Sequence, residues 1–333
     1  MFLLVFVLIG VTMITFFLSQ VLLDPLSLYM TERTREESIP AIIQYYHLND
    51  PWPIRYAVYV WNLIQGDWGY SRSLSQPVLV GMGARFPATI ELATAAIIWT
   101  LLAGIPFGII SALKNNKLPD HVSRLVALTG VSTPVFWLGL ILQLVFFYYL
   151  AIMGLPHLPS NGRYDTTLEI RHPITSVTGL FVIDTLITGN FVMFQDILAH
   201  LILPSFALGF ISLGVIMRIM RGSMLEVLRQ DYIILARSKG LSERVVIYRH
   251  ALKNAMIPTV TVAGLAVAGL LGGAPLTETV FAWPGMGRLA VNAIGRNDAP
   301  LIMGFTLIAA LILVVANLIV DILYAYLDPR IKY

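Results

Sequence analysis

Cysteine is absent from the 333 residues, which excludes disulfides, thiolate metal sites and cysteine nucleophiles. Charge is nearly as scarce. Asp, Glu, Lys and Arg make up 12% of the chain, where soluble domains carry about a quarter, so an ordinary water-soluble globule is excluded. No GxxxxGK[ST] segment occurs, and the chain therefore carries no P-loop for a nucleotide. The six histidines (His47, His121, His157, His172, His200, His250) are scattered without metal-ligand spacing. Gly285-Met286-Gly287 with Ala290 fits a dinucleotide fingerprint only loosely, follows no buried strand, and is set aside. Internal repeats, low-complexity tracts and soluble-domain stretches are missing too.

What the chain has is apolar length: 57% of its residues are hydrophobic. A hydrocarbon core of about 30 Å takes roughly 20 apolar residues to cross. Six segments qualify: 2–23, 89–113, 125–152, 201–219, 258–276 and 301–323. The expected fold is an all-α polytopic membrane protein forming one domain over 1–333. It comprises the first span (1–23), an outer loop (24–88), a core bundle (89–324) interrupted by a polar loop (220–257), and a tail (325–333). The first span has neither a charged start nor a small-residue cleavage site, so it reads as a retained anchor.

Charge distribution sets the expected orientation. With six spans both termini share a side, and that side holds 13 Lys/Arg against 9 on the other, five of the nine in the long first loop. The positive-inside rule places the basic loop and both termini in the cytoplasm of a plasma or inner membrane.

The outer loop is rich in aromatics, and the apolar positions from Ile54 to Ile64 predict a short amphipathic helix lying at the interface. A second outer segment contains the turn signals Leu155-Pro156, Pro159-Ser160-Asn161-Gly162 and His172-Pro173. Residues 178–194 turn apolar again but hold Asp184. They read as a re-entrant or surface helix, because a seventh span would put the basic loop outside. Within the spans, Gly264, Ala268 and Gly272 recur at i, i+4, i+8 and predict a small-residue ridge for helix packing. Thr133-Pro134 and Pro275 should kink or end helices. Asp321, ahead of Tyr324 and Tyr326, reads as an interfacial carboxylate. Glu91 reads as facing the outer interface rather than a pore.

The most informative stretch is 226–258, a basic helix-prone segment between two apolar spans. Eight Lys/Arg crowd in and around it: Arg218, Arg221, Arg229, Arg237, Lys239, Arg244, Arg249 and Lys253. Residues 224–239 are expected to form one helix, with Met224, Leu228, Tyr232 and Leu235 along a stripe. Gly240 suits a C′ position, where glycine takes the left-handed conformation cheaply. Ser242 can cap the next helix, with Glu243 at its positive end. On physics alone, a rigid helix–turn–helix that grips a cytoplasmic partner and a basic loop resting on anionic lipid both remain open.

The pattern Asp231-Tyr232, Ala236-Arg237-Ser238-Lys239-Gly240-Leu241-Ser242, His250-Ala251-Leu252-Lys253-Asn254-Ala255, ending Ile257-Pro258, resembles the EAA loop of ATP-binding-cassette (ABC) importer permeases. More narrowly it resembles the dipeptide/oligopeptide/nickel permease family. The likeness extends to Gly66-Asp67-Trp68-Gly69-Tyr70-Ser71, Arg85-Phe86-Pro87-Ala88-Thr89, His200-Leu201-Ile202-Leu203-Pro204, the run from Glu278 to Gly287, and Leu327-Asp328-Pro329-Arg330, all in the family's order. Three departures are local. The chain opens at once on the apolar Met1-Phe2-Leu3 where relatives usually carry a basic start, Ile233-Ile234 replaces a more polar pair, and Pro275 stands where an apolar residue is usual.

The resemblance implies a type I ABC importer transmembrane-domain fold. It also implies a second homologous permease subunit, two ABC ATPase subunits holding ATP and Mg²⁺, and an extracytoplasmic substrate-binding protein, besides membrane lipid and without nucleic acid. The chain itself would be non-catalytic and hold no cofactor or metal. Carried over by position, Ala236 and Gly240 would permit close docking on the ATPase and Asp231, Arg237 and Lys239 would be polar partners. Tyr232, Leu241, Ser242 and His250 complete the expected coupling set. Substrates across the family are di- and oligopeptides, nickel chelates and oligosaccharides, with peptide favoured. A stand-alone secondary transporter is the competing class; it would need intramembrane ion-coupling residues and repeats, and only Asp321 and Glu91 qualify. An export or scaffold component is a third.

Overall fold

A backbone that crosses an apolar phase must satisfy its own N–H and C=O groups, and this chain does so with helices. The computed structural model describes residues 2–22, 26, 29–30, 34–271 and 274–327. In order come α1 (Phe2–Leu22), α2 (Ile39–Tyr45), α3 (Trp52–Ile64), α4 (Val78–Leu113), α5 (Leu118–Ser132), α6 (Val135–Gln143) and α7 (Leu150–Ile152), the last two joined by a π-helical turn at Leu144–Tyr149. There follow α8 (Thr166–Arg171), α9 (Phe181–Ile187), α10 (Phe191–Val227), α11 (Asp231–Ser238), α12 (Glu243–Val245), a π-helical turn at Val246–Ala251, α13 (Leu252–Leu271), α14 (Pro275–Val280), α15 (Met286–Gly295) and α16 (Ala299–Leu327). A two-stranded hairpin, β1 (Tyr70–Ser71) with β2 (Gln76–Pro77), pairs Tyr70 with Pro77 and Ser71 with Gln76.

Five described helical stretches are long and apolar enough to cross a bilayer: Val78–Leu113, Val135–Ile152, Phe191–Val227, Glu243–Leu271 and Ala299–Ile319. With the 21-residue α1 they make up the expected six. The span limits differ, for identifiable reasons. The segment 125–152 is divided: Pro134 has no N–H to donate and holds Thr133 extended, so α5 ends at Ser132 and the crossing stretch starts at Val135. The fourth span starts ten residues earlier than expected, at Phe191, and runs to Val227, because polar positions such as Asp196 and Arg221 interrupt hydropathy without interrupting the helix. Segment 178–194 is no span; it divides between the short α9 and the first turn of α10 at Gly189-Asn190. Pro258 lies inside α13 rather than opening it, and Pro275 opens α14.

The bundle is organised around α10, which packs on α4, α5, α6, α9 and α13, while α16 lies against α13 and α1. Glycines permit the closest crossings. A Cβ at Gly209 would sit 2.9 Å from the Ala96 carbonyl of α4, and one at Gly214 would sit 2.5 Å from the Ala127 carbonyl of α5. The ridge expected on α13 cannot be followed: Gly264 is half-buried, while Gly272 and the Ala268 side chain lie outside the described residues, as does the Asp321 side chain. The amphipathic helix of the outer loop is present as α3. It lies along α1 rather than on a lipid surface alone, with Tyr56 bonded to Thr12 at 2.9 Å and Phe16 set edge-on to Tyr56.

Candidate functional site

The basic segment is built as a bracket fixed to the ends of two long helices. The α10 helix stops at Val227, three residues pass, and α11 starts at Asp231, so 224–239 is two helices and not one. The reason is tertiary. Breaking the helix turns Ile233 and Ala236 into a cluster with Ile109 and Ala112 of α4, Met220 and Met224 of α10, and Val246, Ala251 and Ala255 beyond the turn. Ala236, only 6% exposed, owes its small size to this internal packing; it offers no open contact.

Gly240 ends α11 as expected. Its φ is +75°, its N–H bonds the Arg237 carbonyl at 2.9 Å, and Leu241 N–H reaches back to the Ala236 carbonyl at 3.4 Å. That pair of bonds is the Schellman arrangement, which satisfies carbonyls a helix end otherwise leaves free. Ser242 holds the N-cap position, but its side chain makes no cap bond; its carbonyl accepts from Val245 and Val246 instead. Glu243 is turned back across the Gly240 turn to Arg237, with Nε to Oε1 at 2.8 Å. Across the bracket, Asn254 donates to the Tyr232 hydroxyl at 2.9 Å. His250 lies half-buried in the π-helical turn, a distortion frequent at functional sites. The outward face leaves Tyr232, Ile234, Leu235, Leu241 and Tyr248 exposed, with Asp231, Arg237 and Lys239 beside them. Arg237, paired with Glu243, keeps only part of its donor capacity.

Four polar devices join side chains distant in the sequence, and their pairings carry no local signal. At the basic end of the bundle, Asp120 is fully buried and takes Nε and Nη2 of Arg221 at 2.6 and 2.9 Å, the Ser111 hydroxyl at 2.6 Å and Asn116 N–H at 2.8 Å. One carboxylate thus ties the α4–α5 turn to α10 just before the bracket. At the opposite end Glu91 does not face the interface. It is buried against Arg163, 2.7 Å away, and also accepts Val182 N–H at 2.7 Å, which seats α9 on α4. Asp298 gathers both Ser71 and Ser73 of the hairpin at 2.6 Å through their hydroxyls.

The fourth device is the run from Glu278 to Gly287, which folds onto the start of α4. Trp283 is fully buried and donates to the Ala88 carbonyl at 2.8 Å, while Glu278 accepts from Arg288 N–H at 2.8 Å and the Thr89 hydroxyl at 2.9 Å. Burial pushes the Glu278 carboxyl up, against the pull of those two bonds. A raised folded value adds stability below the unfolded carboxylate value, about 4.3, that is lost as pH rises through the folded one. Glu278→Gln is therefore expected to melt no lower than wild type at neutral pH and to flatten the acid dependence. Glu278→Ala, which strands two donors, should lose about 1–3 kcal/mol. Equal losses for both variants at every pH in a melting series would contradict this assignment.

The binding-protein-dependent transport system inner membrane component family matches residues 104–333. The chain belongs to this family. A dipeptide transport system permease protein of Alkalihalophilus pseudofirmus is 44% identical over 99% of this chain and 97% of its own length. A di/tripeptide transport system permease protein of Pseudomonas aeruginosa is 42% identical over 97% and 94%, and an oligopeptide transport system permease protein of Bacillus subtilis is 36% identical over 98% and 96%. The chain is thus a multi-pass permease subunit of an ABC importer. The matched region contains the whole bracket, the Asp120–Arg221 clamp and the Glu278–Gly287 module.

Proposed function

We propose that this permease imports dipeptides, forming half of the pathway beside a second, homologous permease. Two ATPase subunits supply ATP and Mg²⁺ binding, and an extracytoplasmic protein delivers the peptide. The observation that carries the coupling role is the bracket itself. Its inner face is packed on the ends of α4 and α10, and its outer face presents apolar side chains among basic ones, exposed and with no helix of the described residues over them. An ATPase seated there would move two spans at once. Asp231, Tyr232, Lys239, Gly240 and Leu241 would touch it. Ala236, Arg237, Ser242 and His250 would hold the bracket in shape. The excess of Lys/Arg on this side supports a cytoplasmic position for the bracket and both termini. The names of the relatives support the peptide class.

Affinity purification from the native membrane, with mass spectrometry of co-eluting proteins and small molecules, tests the reading. A second permease, ATPases and a binding protein retaining a dipeptide are expected. A chain that elutes alone and moves solute in vesicles without ATP would overturn it, and a sugar or metal chelate on the binding protein would overturn the substrate class.

A further inference from the structure

A cavity of about 390 Å³ opens between α5 and α10 at the basic end of the bundle. Its walls are of two kinds. Ala127, Leu128, Val131 and Met217 form an apolar side, and Arg124, Arg218, Arg221 and Ser123 a polar one. Arg221 is committed to Asp120, which also lies 3.7 Å from Arg124. Arg124 further meets His121 at 2.7 Å. Arg218 has no hydrogen-bond or ion-pair partner among the described residues, and neither does the Ser123 hydroxyl, although Ser123 is 94% buried. Three guanidinium groups around one carboxylate leave the recess positive, with unused donors pointing at it.

A site that pairs free Arg donors with an apolar wall, on helices of a membrane bundle, suits an amphipathic anion. Phosphate alone would leave the apolar wall exposed; an apolar helix of a partner would leave Arg218 and Ser123 unsatisfied. We propose that the cavity binds one anionic phospholipid, its phosphate on Arg218 and Ser123 and an acyl chain along Leu128 and Val131. In the orientation proposed above, this is an inner-leaflet lipid, where anionic headgroups and basic pockets between helices attract one another. It would brace the Asp120–Arg221 clamp on the outside, and so stiffen α10 just ahead of the bracket.

The test uses the whole transporter, purified and exchanged into nanodiscs of phosphatidylglycerol in phosphatidylcholine, with native mass spectrometry of retained lipid. One tightly held phosphatidylglycerol per copy of this chain is expected. Arg218→Gln, at an exposed and unpaired position, should lower its retention roughly fivefold, the worth of one basic group near an anionic surface. Arg218→Lys should restore most of it. Three results would overturn the proposal: equal retention in wild type and Arg218→Gln, displacement of the lipid by inorganic phosphate, or loss of the second permease on substituting Arg218, which would make the cavity a subunit interface.

Discussion

Gly240→Asp is expected to insert in the membrane and keep the bracket's fold, yet to lose ATPase co-purification and uptake. The glycine sits at φ +75°, and a Cβ there would meet nothing within 4 Å. The local penalty is therefore conformational, about 1 kcal/mol, and Asp is among the residues that bear this geometry best. The backbone bonds of the turn need no side chain and survive. What changes is outward. A carboxylate now projects from the tip of the surface on which the ATPase is proposed to close, and burying it without a partner costs several kcal/mol. A loss of about 3 kcal/mol would weaken docking more than roughly 100-fold. Gly240→Asn carries the same backbone cost without the charge, so it should retain much of the activity. If Gly240→Asp binds ATPase and transports like wild type, the tip of the bracket is not the docking surface. If Asn and Asp lose equally, the left-handed turn itself is what the ATPase requires.

The contrast between Gly240 and its neighbours shows what a single sequence makes legible. A glycine followed by Leu241-Ser242 in a helical pattern names its own conformation, and Pro134 names its own break, because each effect is local. The break at Leu228-Arg229-Gln230 is different. All three are good helix formers, and only the gain from burying Ile233 and Ala236 under α4 and α10 opens the chain there. The same limit hid the ion pairs. Arg221 reads as one more positive charge of a basic loop until its partner 101 positions away is known. Glu91, near the end of an apolar run, reads as interfacial until Arg163 is placed beside it. Hydropathy trimmed α4 and α10 to bilayer length, whereas at 36 and 37 residues and a rise of 1.5 Å each extends over about 55 Å. The excess length carries the Ala88 carbonyl that accepts from Trp283 at one end and Arg221, the partner of Asp120, at the other.

That clamp yields the second large effect. Asp120→Ala removes the acceptor shared by Arg221, the Ser111 hydroxyl and Asn116 N–H. A buried ion pair broken on one side usually costs 3–5 kcal/mol; here Arg221 is 22% exposed, so water offsets part of it and about 3 kcal/mol is expected. Most of that cost is the guanidinium, left with the Asn115 side-chain oxygen, 3.0 Å from its Nη2, in place of a carboxylate. Asp120→Ala combined with Arg221→Met should therefore recover a large part of the thermal stability, well short of the sum of two independent losses. Function separates the two contributions. The double variant restores packing but not the rigid link between the α4–α5 turn and α10, so it should melt near wild type while ATP hydrolysis runs poorly coupled to uptake. The Arg221 guanidinium holds the Asp120 carboxyl well below the usual carboxylate range. A depressed value adds stability that is present above the ordinary carboxylate value of about 3.9 and lost only as pH falls through the lowered one. The gap between wild type and Asp120→Ala should accordingly be constant between about pH 6 and about pH 8. A gap that closes within that window would mean that another titrating group, and not this carboxylate, holds the two helices together.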